Sequence, residues 1–142
     1  MIASTKGRYA LRVMIDLAEH SSGNFIPLRD IAGRQEISEK YLESIVVLLS
    51  RAGLLDGLRG KGGGYKLTRR PEQYTVGCVL RLTEGSLAPV ACLESRANSC
   101  PRAAACRTLP MWKKLDKMLN EFFEGITIAD LMKKDSGGDF VI

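Results

Sequence analysis

Residues 38–70 read SEKYLESIVVLLSRAGLLDGLRGKGGGYKLTRR, and their periodicity decides the fold. Leu42, Ile45, Val46 and Leu49 fall on one side of a helix, while Glu39, Lys40, Glu43, Ser44 and Arg51 fall on the other. Ser38 is a strong N-cap for that helix, because its hydroxyl can accept from an otherwise unpaired amide of the first turn; Ala52-Gly53 ends it. After Gly53 the pattern shortens. Leu54, Leu55, Tyr65 and Leu67 belong to two short strands joined by Arg59-Gly60-Lys61-Gly62-Gly63-Gly64, a flexible basic hairpin tip.

Upstream, Tyr9, Ala10, Val13, Met14, Leu17 and Ala18 form the stripe of a first helix from about Thr5 to His20, stopped by Ser21-Ser22-Gly23. Pro27 opens a short second helix to about Arg34, turning Leu28, Ile31 and Ala32 inward. Three short helices followed by a hairpin is the order of a winged helix-turn-helix. Downstream, Thr75 caps a helix running through Glu84, which Gly85 ends. Residues 86–109 are irregular; Pro110 starts an amphipathic helix to Phe123 with Met111, Leu115, Met118, Leu119 and Phe122 on its apolar side. Gly125 breaks that helix, Thr127 and Asp130 form a capping box for a last helix from Ile128 to Lys133, and DSGGDFVI is expected to be a mobile tail. The fold class is mainly α with a small β-wing.

Composition narrows the function. The 142 residues carry a net charge of +5, with 45% apolar and 26% charged side chains, ordinary globular usage for one core. Residues 1–70 hold 12 Lys or Arg against 7 Asp or Glu, whereas residues 71–142 hold 9 of each. The entire excess lies on the helix-turn-helix half, which suits a polyanion. No apolar run approaches the roughly 18 residues of a membrane span, and the N-terminal MIASTKGRY has no hydrophobic leader, so the expected location is the cytoplasm. With one histidine, His20, and no nucleophile–base pair, the chain is not expected to be an enzyme. GKGGG also lacks the spacing of a nucleotide-binding P-loop.

A helix presented to a major groove would offer Ser38 and Tyr41 as hydrogen-bonding groups and Glu43 as an acceptor for a cytosine amino group. Alternatively, Glu43 lies on a solvated face, weakly paired with Lys40. Arg59 on its glycine-rich tip suits a narrow minor groove, and Lys61, Lys66, Arg69 and Arg70 suit phosphates; the other account is an ordinary glycine hairpin. Cys92, Cys100 and Cys106 follow the pattern C-x7-C-x5-C in irregular chain, among Arg96, Arg102 and Arg107. Three such thiols can converge on iron or zinc, act as redox sensors, or remain unliganded. Cys78 reads as a packed core residue.

The segments STKGRYALRVMIDLA, IPLRDIAGRQEIS, YLESIVVLLSRAGLL, RGKGGGYKL, TVGCVLRLTEG and WKKLDKMLNEFFEGITIADL resemble the iron–sulfur cluster regulator family of winged-helix transcription factors, which includes the cysteine-metabolism repressor of Gram-positive bacteria. The resemblance implies a homodimer joined by its long C-terminal helices and bound to palindromic promoter DNA. It places Ser38, Tyr41 and Glu43 at base-reading positions and Arg59 at a minor-groove position. It also implies that Cys92, Cys100 and Cys106 hold a 2Fe-2S cluster. Three departures stand out: the first cysteine gap is longer than usual, Leu109 replaces a histidine ligand, and Arg8 falls where some relatives supply an acidic ligand. The alternative within the family is a cluster-free repressor controlled by cysteine synthase, docked through the terminal Phe140-Val141-Ile142. The expected organisation is a DNA-binding region with linker helix over 1–84, a sensing segment over 85–109, a dimerisation helix and short final helix over 110–134, and a flexible tail over 135–142.

Overall fold

A computed structural model describes residues 3–94 and 100–133; Arg96 and the tail 135–142 lie outside these residues. Helix α1 (Thr5–Glu19) is followed by α2 (Leu28–Gln35), α3 (Glu39–Arg51), strands β1 (Leu55–Leu58) and β2 (Gly64–Leu67), and helices α4 (Val76–Glu84), α5 (Leu109–Glu124) and α6 (Ile128–Leu131). The caps are the ones their sequences dictate. Ser38 Oγ accepts from Tyr41 N at 3.1 Å, Thr75 Oγ1 from Cys78 N at 3.0 Å, and Thr127 exchanges both capping-box bonds with Asp130. The last helix stops at Leu131, short of the expected Lys133.

One core joins the elements. Ala10, Val13, Met14 and Leu17 of α1 pack with Ile31 of α2 and with Leu42, Ile45, Val46 and Leu49 of α3. Tyr74, Val79 and Ile128 enter the same cluster, so the short α6 is part of the core of the three-helix head although it follows α5 in sequence. The backbone makes the same connection: Ile128 N donates to Tyr74 O at 2.9 Å, and Val76 N to Ile126 O at 2.8 Å. Cys78 is half-buried against this core.

Asp16 is the buried charged residue among those described, with its side chain fully enclosed. Arg34 reaches it from α2 with two bonds, Nε to Oδ2 at 3.0 Å and Nη2 to Oδ1 at 2.7 Å, and Gln35 Nε2 adds a third at 2.9 Å. The Asp16 hydrogen bond holds the Arg34 guanidinium above its ordinary pKa. Arg12 Nε in turn donates to Gln35 Oε1 at 3.1 Å. His20, the C-cap of α1, points Nδ1 at the Asp16 carbonyl at 2.8 Å, consistent with a capping role.

The wing is antiparallel, with Leu55 opposite Leu67 and Leu58 opposite Gly64. The segment before α2 extends it: Ile26 and Tyr65 exchange both backbone bonds at 2.8 Å. Gly64, at φ +149°, is required there, because a Cβ would lie 2.1 Å from the Ile26 carbonyl oxygen.

On α5, Met111, Leu115, Met118 and Phe122 are exposed, forming an apolar stripe at 4-3-4 spacing that is uncovered among the described residues. Because Asp16 is enclosed, removing its partner strands a buried carboxylate. Arg34→Met is expected to destabilise the fold by about 3 kcal/mol in urea denaturation. Arg29→Met, at an exposed position on the same helix, should change stability by under about 0.5 kcal/mol.

Candidate nucleic-acid interface

The α1–α2 clamp and the core turn the polar face of α3 outward. Between it and the wing lies an open groove of about 740 Å³. Glu39, Glu43 and Val47 of α3 form one wall, and Leu58, Arg59 and Lys61 of the wing form the other. The floor includes Pro27, Leu28 and Arg29. Three of the residues singled out from sequence, Glu43, Arg59 and Lys61, therefore face one space, and all three are exposed. A turn at the tip, closed by Gly63 N to Gly60 O at 3.0 Å, lifts Lys61 to its apex.

Ser38 and Tyr41 stand apart from that groove. They line a separate recess with Thr5, Tyr9, Glu36 and Ile37, at the start of α1 and the helix-turn-helix corner. The Tyr41 ring meets Tyr9 edge-on at 5.7 Å, and the Arg12 guanidinium lies 5.0 Å from the Tyr9 centroid. The Tyr41 ring thus joins an aromatic pair, with Arg12 on its Tyr9 member, that sequence did not reveal. Ser38 Oγ is engaged as the α3 cap.

Two of the cations expected at phosphates are held by rings of their own chain. Lys66 Nζ lies 4.6 Å from the Phe25 centroid, and the Arg69 guanidinium lies 5.7 Å from that of Tyr74. Arg29 takes a place beside Arg59 and Lys61 that sequence analysis missed; its one signal was a polar position on the outer side of α2. Tyr74 was also missed, since a lone tyrosine after a proline turn carries no motif.

Cys92, Cys100 and Cys106 lie between α4 and α5 and are half-buried. Cys92 is within a 3-10 turn at Ala91–Leu93, and Cys106 ends another at Ala103–Ala105. Hydrogen bonds from the Thr108 side chain, 3.5 Å away, and from its backbone N–H hold the Cys106 thiol below its ordinary pKa. Among the described residues, no three His, Cys, Asp or Glu side chains gather as a metal-holding group. Leu109 is buried and apolar, and Arg8 donates to Thr5. The thiols suit a 2Fe-2S cluster in kind, but the described chain does not assemble a complete ligand set for one.

A three-helix head with a wing and an open basic-rimmed groove defines a winged helix-turn-helix DNA-binding protein. The chain belongs to the Rrf2 family, described as iron-dependent transcriptional regulators, whose sequence pattern matches residues 3–134. It is 36% identical over 132 residues to the HTH-type transcriptional regulator IscR of Aliivibrio salmonicida, covering 93% of this chain and 77% of that one. Among solved structures it is similar to CymR, the global cysteine regulator of B. subtilis, with a TM-score of 0.75, 33% identity and coverage of 98% and 99%. It is likewise similar to T. potens IscR, with a TM-score of 0.74, 33% identity and coverage of 98% and 93%. The chain is a transcriptional regulator, in a family of regulators rather than enzymes. No helix among the described residues is long and apolar enough to cross a membrane. The terminal residues assigned to cysteine synthase lie outside the described residues, and neither the described surface nor the relatives' names support that partner.

The lowered thiol pKa of Cys106 sets a sign: its thiolate persists to lower pH than that of an unperturbed cysteine. Mass-spectrometric iodoacetamide labelling should show Cys106 alkylation rising at lower pH than that of a model thiol peptide. Thr108→Val should shift that profile back upward.

Proposed function

We propose that this regulator binds a palindromic operator as a homodimer, with α3 in the major groove and the wing tip in the adjacent minor groove. The observation that carries this reading is the shared groove, where Glu43 on α3 faces Arg59 and Lys61 on the wing. A carboxylate beside a polyanion is unfavourable unless it meets a donor, and the cytosine amino group is the donor a major groove supplies. Arg59 would enter the minor groove, where narrowing concentrates negative potential, and Lys61 would contact phosphate. Ser38 and Tyr41, at the front of α3, would contact the same DNA from the recess side. The exposed stripe Met111, Leu115, Met118 and Phe122 supports a second copy across α5, since burying it removes this apolar helix face from water.

We further propose that Cys92, Cys100 and Cys106 report iron–sulfur or redox status from the cytoplasm to that head. The iron-dependent description of the family and the Thr108 hydrogen bonds that hold the Cys106 thiol below its ordinary pKa support this reading. A bound 2Fe-2S cluster would supply redox-dependent charge at the segment leading into α5, with the three thiolates as its protein ligands.

The operator is obtained by selecting duplexes from a random-sequence pool with the protein itself. On the selected duplex, Glu43→Ala is expected to relax base preference more than it lowers affinity. Arg59→Ala should cost about 1–3 kcal/mol at sites with narrow minor grooves. Unchanged base preference in Glu43→Ala would remove the assigned role. For the sensing element, anaerobic reconstitution with iron and sulfide is expected to give visible thiolate-to-iron absorption that is lost in Cys106→Ala. A colourless, iron-free product would reject the cluster and leave thiol oxidation to be read by the labelling experiment.

A further inference from the structure

Both stems of the wing end on one buried hydroxyl. Tyr74, completely enclosed, follows the 3-10 turn Pro71–Gln73. Its Oη donates to the Leu54 carbonyl at 2.9 Å, where the chain passes from α3 into β1. The same oxygen accepts from Thr68 N at 3.0 Å and Arg69 N at 2.8 Å, where the chain leaves β2. One donor and two acceptor sites are thereby filled by the backbone on either side of the hairpin. Thr68 Oγ1 reinforces the junction with bonds to the carbonyls of Gly53 at 2.8 Å and Leu54 at 3.2 Å.

A two-stranded hairpin is marginal by itself, so its direction depends on what holds it. The Ile26–Tyr65 bridge is a backbone contact along one edge. At the root, a backbone bond from Thr68 N to the Leu54 carbonyl at 3.4 Å is joined by the three bonds of the tyrosine hydroxyl; phenylalanine would fill the same space at residue 74 but remove those three. Beyond these ties, Leu58, Arg59, Gly60 and Lys61 are exposed. A small change of angle at the root therefore moves the tip across the groove that α3 faces.

We propose that Tyr74 is a positioning residue for DNA binding: its hydroxyl fixes the wing so that Arg59 stands at the right distance from the reading face of α3. This inference rests on the groove reading given above. It is tested with the full-length protein and the selected duplex in a double-mutant cycle between Tyr74→Phe and Arg59→Ala, read by fluorescence anisotropy. Tyr74→Phe is expected to weaken binding about fivefold in the Arg59 background and less than about twofold in the Arg59→Ala background, because the tyrosine acts through the arginine. Amide hydrogen exchange should quicken at Thr68 and Arg69, while the core amides of α1 and α3 stay protected. Loss of affinity that is undiminished in the Arg59→Ala background overturns the positioning role, as does an unchanged affinity of Tyr74→Phe. An Arg59→Ala variant that binds like the parent overturns the groove reading and the positioning role with it. If Tyr74→Phe fails to fold, Thr68→Ala, at an exposed residue of the same junction, takes its place in the cycle with the same expectations.

Discussion

The arrangement of the head depends on burying the Asp16 carboxylate. A charge removed from water is tolerated only when partners replace its hydration, and here α2 supplies them through Arg34 and Gln35. That requirement is directional in a way that the packing of Met14 and Leu17 against Ile31 is not. A sliding or rotated α2 would keep much of its apolar contact but lose the two-point bond. The clamp thus fixes α2 on α1, and the short turn through Glu36, Ile37 and Ser38 hands that orientation to α3. Glu36 holds the left-handed conformation at φ 55° that this corner needs, without the freedom of a glycine.

The second constraint is the root of the wing. Ile26, Tyr65 and Tyr74 bring the loop before α2, the hairpin and the chain entering α4 to one place. Groove width is consequently a property of the whole head rather than of the wing alone. The C-terminal unit reaches the same place: Thr127 bridges Thr75, and Ile128 is completely buried in the head's core. Arg81 joins α4 to α5 by donating to Asn120 Oδ1 at 2.8 Å and by pairing with Glu124. A change in α5, which begins three residues after Cys106, therefore has a packed route to α3 and the wing through α4 and α6.

Much of this was legible in the sequence because it is local. Ser38, Thr75 and Thr127 cap the helices they precede, since a side-chain oxygen next to a helix start meets an unpaired amide whatever surrounds it. The stripe Leu42, Ile45, Val46 and Leu49 is buried because a 3.6-residue period leaves one face for the core. The glycine run made the wing visible, although its physical demand is stricter than flexibility, as the contact between Gly64 and Ile26 shows. By contrast, Lys66 and Arg69 look in sequence like free cations, and only folding brings Phe25 and Tyr74 beneath them.

By itself the sequence determined the order of helices and strands, their caps, the outward face of α3 and the asymmetry of charge, because each follows from residues within a few positions of one another. Tertiary structure decided that Asp16 and Arg34 form the buried clamp, that Tyr74 ties the wing, and that Glu43 shares a groove with Arg59 and Lys61 while Ser38 and Tyr41 face another recess. It also left the apolar stripe of α5 uncovered and the three cysteines without a complete ligand set among the described residues. These outcomes depend on the packing of segments far apart in the chain. Periodicity tells a side chain to be inside or outside; only the packed fold chooses its partner.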